Sequence, residues 1–144
     1  MDSEVVKLVR NVRDEIVANY YRMKLNASGE FAEKTQVVED GGSVKIVAPA
    51  YIYQMEDGRK AGTMPPVSAI KKWIRDKNAN AGTDIPESAA WAIAYVIKRD
   101  GIQVPNEFNA GGVASSILNP EMVKRLTVEV NRIVSAKILT ILTK

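Results

Sequence analysis

Glu56 and Asp57 are neighbouring carboxylates, and two carboxylates can act together as a general acid and a general base. Such a pair works only when both groups converge on one substrate. The preceding residues 51–55, YIYQM, alternate with the period of a β-strand, whose successive side chains point to opposite faces. The two carboxylates are therefore expected to diverge, and Asp57-Gly58 indicates a surface turn rather than a catalytic pair.

The segment 58–62, GRKAG, has the glycines and cations of a phosphate-binding loop. It lacks the GxxxxGK[ST] spacing of such loops. The prolines that follow, Pro65 and Pro66, have no N–H group to offer an anion at the start of a helix. Phosphate binding is therefore not expected here. Arg59 and Lys60 are interpreted as solvated cations, with contact to DNA as the alternative.

The composition of the chain excludes several classes of chemistry. None of the 144 residues is a histidine or a cysteine, which rules out zinc sites and Ser-His or Cys-His nucleophiles. We predict a protein that is not an enzyme and holds no cofactor. The net charge of +3 is spread along the chain, whereas dedicated nucleic-acid binders cluster their cations. No apolar run reaches the ~18 residues of a membrane span and no secretory signal is present, so a cytoplasmic origin is expected.

The first half of the chain predicts a helix followed by a small antiparallel sheet. Apolar residues recur at helical spacing from Glu4 to about Leu25, and Asp2 or Ser3 can cap this helix. Two β-prone runs, 35–39 and 43–48, flank a glycine turn and predict a hairpin with a loop of two or three residues. Residues 51–55 are then expected to form a further strand or to continue the second one after Pro49.

The second half predicts helices separated by loops. Pro65 or Pro66 opens a helix that ends near Lys77, and an alanine-rich helix follows from about Glu87 to Arg99. Trp73 and Trp91 lie on these two helices and are interpreted as core or subunit-interface residues. The 102–118 segment is irregular and is expected to be a loop or an arm.

The last predicted helix begins at Asn119-Pro120-Glu121, which places a cap, an N1 proline and a first-turn acid in order. It can continue to Thr143. Residues 133–142 are apolar on more than one face, which leaves open a core helix, or a strand or helix covered by a partner subunit. Together the elements predict one α+β domain over residues 1–144.

The segment 51–77, with the strand before it and the 91–101 helix after it, resembles the neck or tail-completion proteins of tailed bacteriophages. Members of this family show a tyrosine-bearing extended segment, an acidic residue, a Gly-Arg turn, a proline loop, a helix with tryptophan and an alanine-rich helix ending in Arg-x-Gly. The corresponding residues here are Tyr51, Tyr53, Glu56, Gly58-Arg59, Met64-Pro65-Pro66, Trp73 and Arg99-Asp100-Gly101. Relatives continue with a proline-phenylalanine loop and a closing element, where this chain has residues 104–108, VPNEF, and a long helix.

The resemblance implies a structural virion protein in the ring that joins the portal or adaptor to the tail. Such a protein forms a homo-oligomeric ring, contacts tail-tube or other tail proteins, surrounds the genomic DNA without sequence specificity, and assembles in the host bacterial cytoplasm. The 58–66 loop and the 102–118 segment are then expected to make contacts. The expected interface residues are Tyr51, Tyr53, Glu56, Gly58, Arg59, Lys60, Gly62, Pro65, Pro66, Trp73 and Phe108.

An alternative from another class is a small regulatory or nucleic-acid-binding module. In this hypothesis the basic face of the 65–77 helix, with Lys71, Lys72, Arg75 and Lys77, lies against phosphates. Against it stand Ile70, Trp73 and Ile74, which make the other face of that helix a core face and its cations the solvated side.

Overall fold

The computed structural model describes residues 3–143, which form a mixed α+β fold of helices and one β-hairpin. The helices are α1 (Ser3–Arg22), α2 (Glu30–Lys34), α3 (Ile52–Asp57), α4 (Val67–Asn80), α5 (Ala90–Asp100) and α6 (Pro120–Leu142). The strands are β1 (Gln36–Asp40) and β2 (Ser43–Val47), and a 3₁₀ turn, Glu87–Ala89, leads into α5. The predicted α+β class is confirmed. Asp2, one of the two predicted caps of α1, lies outside the described residues, and Ser3 is the first residue of that helix.

The hairpin has the two-residue loop Gly41-Gly42 between the paired residues Asp40 and Ser43. Both loop glycines have positive φ, 51° and 91°, as the tight turn between twisted antiparallel strands requires. This settles the predicted loop length at two residues. Both strands contact α1, and Ile46 packs against the main core.

The predicted extra strand over residues 51–55 is wrong, because these residues belong to α3 and the turn that starts it. The N–H of Ile52 donates to the carbonyl of Pro49 at 3.0 Å, which starts a helical turn directly after the proline. Ile52 and Met55, three residues apart, are the half-buried members of one helix face. Over five residues the sequence fits a period of two and a period of 3.6 equally well, so the alternation alone could not decide. The sheet therefore has two strands.

The main core lies between α1, α2, the start of α6 and the irregular 102–118 segment. Phe31 of α2 is fully buried and stacks on Tyr20 of α1 with ring centroids 4.3 Å apart. The other buried members of this cluster are Val12, Ile16, Val113 and Met122. A second small core joins α4 to α5, where Ile74, Ala90 and Ala94 are fully buried.

Arg13 fastens α1 to the end of α2. Its Nε donates to the carbonyl of Thr35 at 2.7 Å and its Nη2 to the carbonyl of Ala32 at 2.5 Å. Thr35 is itself fully buried, and its hydroxyl donates to the carbonyl of Phe31 at 2.6 Å. The carbonyls at the end of α2 are thus satisfied by side chains, as a buried helix end requires.

The predicted helix starts and stops at α4, α5 and α6 are confirmed to within a few residues. Pro66 precedes the first residue of α4, and Gly101 follows α5 with a positive φ of 70°. Asn119 caps α6, because its side-chain oxygen accepts from the N–H of Met122 at 2.9 Å, and Pro120 is the first residue of the helix. Residues 133–142 continue α6, so the strand alternative for this segment does not hold.

Asn19 is a buried polar side chain that joins α1 to the 112–116 backbone. Its amide nitrogen lies 3.0 Å from the carbonyl oxygen of Val113 and 3.2 Å from the hydroxyl of Ser116. Its amide oxygen accepts from Arg22 at 3.0 Å. Because Asn19 is only 6% exposed, water cannot readily replace these hydrogen bonds.

We expect Asn19→Leu to lower the free energy of unfolding by about 2–3 kcal/mol, because it leaves the buried carbonyl of Val113 without its donor. The measurement is urea denaturation followed by circular dichroism. Asn11→Leu is the matched control, since Asn11 lies on the exposed face of the same helix and should change stability by less than about 0.5 kcal/mol. Equal losses in both variants would contradict the structural role of Asn19.

Candidate interaction surface

Residues 51–62 and 102–115 lie side by side and are called the candidate surface below. Arg59 and Ile102 exchange two backbone hydrogen bonds, at 2.9 and 2.8 Å. The N–H of Gly62 donates to the carbonyl of Lys98 near the end of α5 at 2.7 Å. The glycine-containing loop after α3 is therefore held against the C-terminal end of α5.

Gly58 and Gly101 allow this close approach of two backbones. A Cβ atom on Gly58 would lie 2.0 Å from the carbonyl oxygen of Ile102, and one on Gly101 would lie 2.2 Å from that of Arg59. No side chain fits at either position without a backbone shift. The Gly58-Arg59 and Arg99-x-Gly101 motifs, about 40 residues apart in sequence, thus meet at one backbone contact.

Glu56 binds the backbone of the second segment. One carboxylate oxygen accepts from the N–H groups of Ala114 and Ser115, at 2.6 and 2.9 Å, and the other accepts from the Ser115 hydroxyl at 2.7 Å. Partial burial acts to raise the pKa of this carboxyl, but the hydrogen bonds from Ser115, Ala114 and Gly112 outweigh it and lower the pKa below its ordinary value.

The prediction that Glu56 and Asp57 are surface-turn residues after a strand is corrected here. Both belong to the last turn of α3. Asp57 is exposed, whereas Glu56 is half-buried and connects α3 to a segment 58 residues away in sequence.

Phe108 occupies the tip of a tight turn in the candidate surface. The side-chain oxygen of Asn106 accepts from the N–H groups of Phe108 and Asn109, at 2.8 and 2.9 Å. The Asn109 amide then donates to the carbonyl of Met55 in α3 at 3.0 Å. The 102–118 segment is therefore a loop that hydrogen bonds hold against α3, and its interpretation as an arm is wrong. Phe108 itself is 81% exposed.

The predicted interface residues divide into two groups. Eight lie in the candidate surface: Tyr51, Tyr53, Glu56, Gly58, Arg59, Lys60, Gly62 and Phe108. Tyr51 is 38% exposed, and its ring centroid lies 6.2 Å from that of the buried Phe31, so it borders the core. The other three lie outside this surface, and Pro65 is buried. Pro66 and Trp73 are exposed at and within α4, so a core position for Trp73 is wrong.

Two exposed aromatics on α5 are absent from the predicted interface residues. Trp91 and Tyr95 are 63% and 56% exposed and lie four residues apart, hence on one helix face. The sequence does contain a clue to this exposure. Ala90 and Ala94 lie four residues apart and are buried on the face of α5 toward α4, so the residues that directly follow them, Trp91 and Tyr95, point away from that face. The interpretation of Trp91 as a core residue is wrong, and its place in an interface stays a prediction.

The basic face of α4 is largely engaged within the chain. Lys72 pairs with Asp76 at 2.7 Å and Arg75 with Glu87 at 2.8 Å. Lys77 donates to the carbonyl of Lys24 at 2.7 Å, and partial burial lowers its pKa. These partners would have to be released, or shared, before the cations could neutralise phosphates.

Comparisons with known proteins give no relatives: no family model, no curated protein and no solved structure matches the chain. Within residues 3–143 no group of three or more acidic, histidine or cysteine side chains is placed to hold a metal ion. None of the helices in that range is both long and apolar enough to cross a bilayer.

We expect Glu56→Gln to lower the free energy of unfolding by about 1 kcal/mol at pH 7, because a charged acceptor of three hydrogen bonds is lost. The pKa of Glu56 is lower in the folded chain than its ordinary value of 4.5, so its stabilisation is complete above that value and is lost as pH falls through the folded pKa. Unfolding curves from pH 7 to pH 3 should therefore show the difference between wild type and variant shrinking below about pH 4.5.

Glu107→Gln is the control for this measurement, since Glu107 is an exposed carboxylate of the same segment. It should change the unfolding free energy by less than about 0.5 kcal/mol. A Glu56→Gln difference that stays constant down to pH 3 would show that the carboxylate charge does not stabilise the loop.

We expect Gly101→Ala to lower the free energy of unfolding by about 3 kcal/mol, because strain at positive φ adds to a clash with the Arg59 backbone. Gly82→Ala is the comparison without the clash, since Gly82 has the same φ of 70° and a Cβ atom added there would meet nothing within 4 Å. It should cost about 1 kcal/mol. Denaturation of both variants measures the difference, and equal costs would remove the backbone approach as a constraint.

Proposed function

We propose that this chain is a structural virion protein of a tailed bacteriophage, part of the neck ring that joins the portal or adaptor to the tail. The observation that carries the proposal is that the motifs that resemble this family, although far apart in sequence, contact one another in the structure. Glu56, Gly58-Arg59 and Gly101 all take part in the contacts that build the candidate surface. The motif residues therefore share one structural task, which is to hold a rigid surface.

The side chains displayed on this surface and on α5 suit assembly. Tyr53, Trp91 and Phe108 are 72%, 63% and 81% exposed. Large aromatics left exposed are costly to solvate and are the residues that most often anchor protein interfaces. A subunit that is covered only after joining its neighbours accounts for them.

In this proposal the chain forms a homo-oligomeric ring and contacts the portal or adaptor on one side and tail-tube or other tail proteins on the other. Genomic DNA passes through the ring and is contacted without sequence specificity. The place of action is the neck or tail of the virion, after assembly in the bacterial cytoplasm. Catalysis, a cofactor and a membrane have no part in it.

The alternative, a nucleic-acid-binding module using the basic face of α4, receives less support. Its cations Lys72, Arg75 and Lys77 already have partners in the chain. We therefore treat DNA binding by this face as an outcome of the test and not as a second proposal.

The test is native mass spectrometry of the purified chain, alone and after mixing with the portal, adaptor or tail-tube protein encoded beside it. We expect a ring-sized oligomer, or a complex of fixed stoichiometry that appears only with one of these partners. A chain that ignores all of them, yet binds short DNA with an affinity that falls steeply with salt, would overturn the proposal in favour of the α4 module.

A pair of variants tests the candidate surface in the same experiment. Tyr53→Ser combined with Phe108→Ser should weaken the complex at least tenfold, because two exposed aromatic anchors are lost. Val38→Ser combined with Val128→Ser removes two other exposed apolar side chains, 40% and 61% exposed, and should leave the complex intact. Equal weakening by both pairs would argue against this surface.

A further inference from the structure

The C-terminal end of α5 gathers cations from two segments that are about 40 residues apart in sequence. Lys98 and Arg99 belong to the last turn of α5. The glycine-containing loop after α3 lies against this turn, because the N–H of Gly62 donates to the carbonyl of Lys98 at 2.7 Å. A Cβ atom added to Gly101 would lie 3.0 Å from the carbonyl carbon of Lys60. The side chains of Lys60, Lys98 and Arg99 are all exposed at this contact.

The two segments in contact, 59–62 and 98–101, carry an excess of positive charge. They contain one carboxylate, Asp100, which pairs with Arg99 at 2.6 Å, and four cations: Arg59, Lys60, Lys98 and Arg99. Their net charge of +3 equals that of the whole chain. Counting the exposed Asp57, two residues before Arg59, still leaves an excess of two positive charges. Charge that is spread along the sequence is therefore brought together by the fold.

These cations are not needed to cap the helix. Lysine and arginine in the last turn of a helix often hydrogen-bond the free carbonyls there. In α5 the backbone does this instead, since the carbonyl of Ile97 accepts from the N–H of Gly101 at 2.8 Å and that of Lys98 accepts from Gly62. Within residues 3–143 neither Lys60 nor Lys98 forms an ion pair. Their charges therefore remain available to a ligand.

Two exposed aromatic side chains lie on the same face of α5 as its cations. Trp91, Tyr95 and Arg99 follow one another at intervals of four residues, and Lys98 lies beside them. At 100° per residue these four side chains fall within about 100° of the helix circumference. They are called the α5 stripe below. Each interval of four residues advances about 6 Å along the helix axis.

We infer that the α5 stripe, with Lys60 beside it, binds single-stranded nucleic acid, whose bases stack on Trp91 and Tyr95 and whose phosphates meet the cations. Surfaces that bind single strands combine a positively charged track with aromatic side chains on which successive bases stack. The stripe has both parts in order along one helix face. The inference does not depend on the proposed virion role.

Charge and spacing favour an unpaired strand over an acidic protein or a duplex. The centres of protein interfaces are depleted of lysine, whereas half of the α5 stripe is cationic and Lys60 adds a further charge. Every nucleotide, by contrast, carries both a negative charge and an aromatic face. Neighbouring bases of a duplex strand are only about 3.4 Å apart, and pairing keeps them stacked. Rings about 6 Å apart along the axis need bases that can separate, as those of a single strand can.

The test is a fluorescence titration of the full chain with an oligothymidylate of about 12 nucleotides, a usual site size for such surfaces. Trp73→Phe is the starting variant, because it leaves Trp91 as the one tryptophan of the chain. We expect quenching as a base stacks on Trp91. Three cations meeting phosphates predict a slope of about −2 for log affinity against log salt, since each phosphate of a single strand contributes about −0.7. Absence of binding at about 20 mM salt, or binding without quenching, would overturn the inference.

Substitutions in the same titration assign the binding to the α5 stripe. Tyr95→Ala should weaken binding at least about fivefold, because one stacked base is lost, whereas Tyr53→Ala removes an exposed tyrosine elsewhere and should have no effect. Lys60→Gln with Lys98→Gln should reduce the slope to about −0.7. Lys7→Gln with Lys124→Gln is the matched control, since it removes two exposed lysines of other helices and should leave the slope unchanged. Circular dichroism verifies that each variant is folded.

Equal losses in the two lysine pairs would show attraction to overall charge and would overturn the site. Loss of binding in Lys72→Gln with Arg75→Gln would overturn it too, because it would place the ligand on α4. The ligand class is tested by a duplex and by an oligoglutamate of the same length, which offer phosphates without free base faces and charges without bases. Both should bind at least about tenfold more weakly than the single strand. Equal binding of either one would overturn the assignment to single-stranded nucleic acid.

Discussion

The structure depends on satisfying the backbone of a buried segment that has no regular secondary structure. Val113 in the 102–118 segment is fully buried, so the peptide groups around it lose water and need other partners. Asn19 donates to the carbonyl of Val113, and Glu56 accepts from the N–H groups of the next two residues. Through the backbone bridge from Arg59 to Ile102, the same segment positions the end of α5.

A carboxylate suits the task of Glu56 better than a neutral group would. The N–H of Ser116 donates to the carbonyl of Gly112, and that of Leu118 to the carbonyl of Ala114, so the segment makes a helical turn. The first N–H groups of such a turn have no partner within it and carry partial positive charge. Glu56 meets these groups from another element, which is the role that an N-cap residue plays locally.

The parts of the fold that the sequence predicts are those with local causes. Asn119-Pro120 starts α6 and Gly41-Gly42 closes the hairpin because cap and turn geometry are encoded within four residues. The 51–55 segment fits two periods, and its alternation therefore predicts the wrong element. The task of Glu56 could not be predicted at all, since its partners lie 58 residues away in a segment without periodicity. For the candidate surface, the sequence indicated most of the residues but not the contacts that join them.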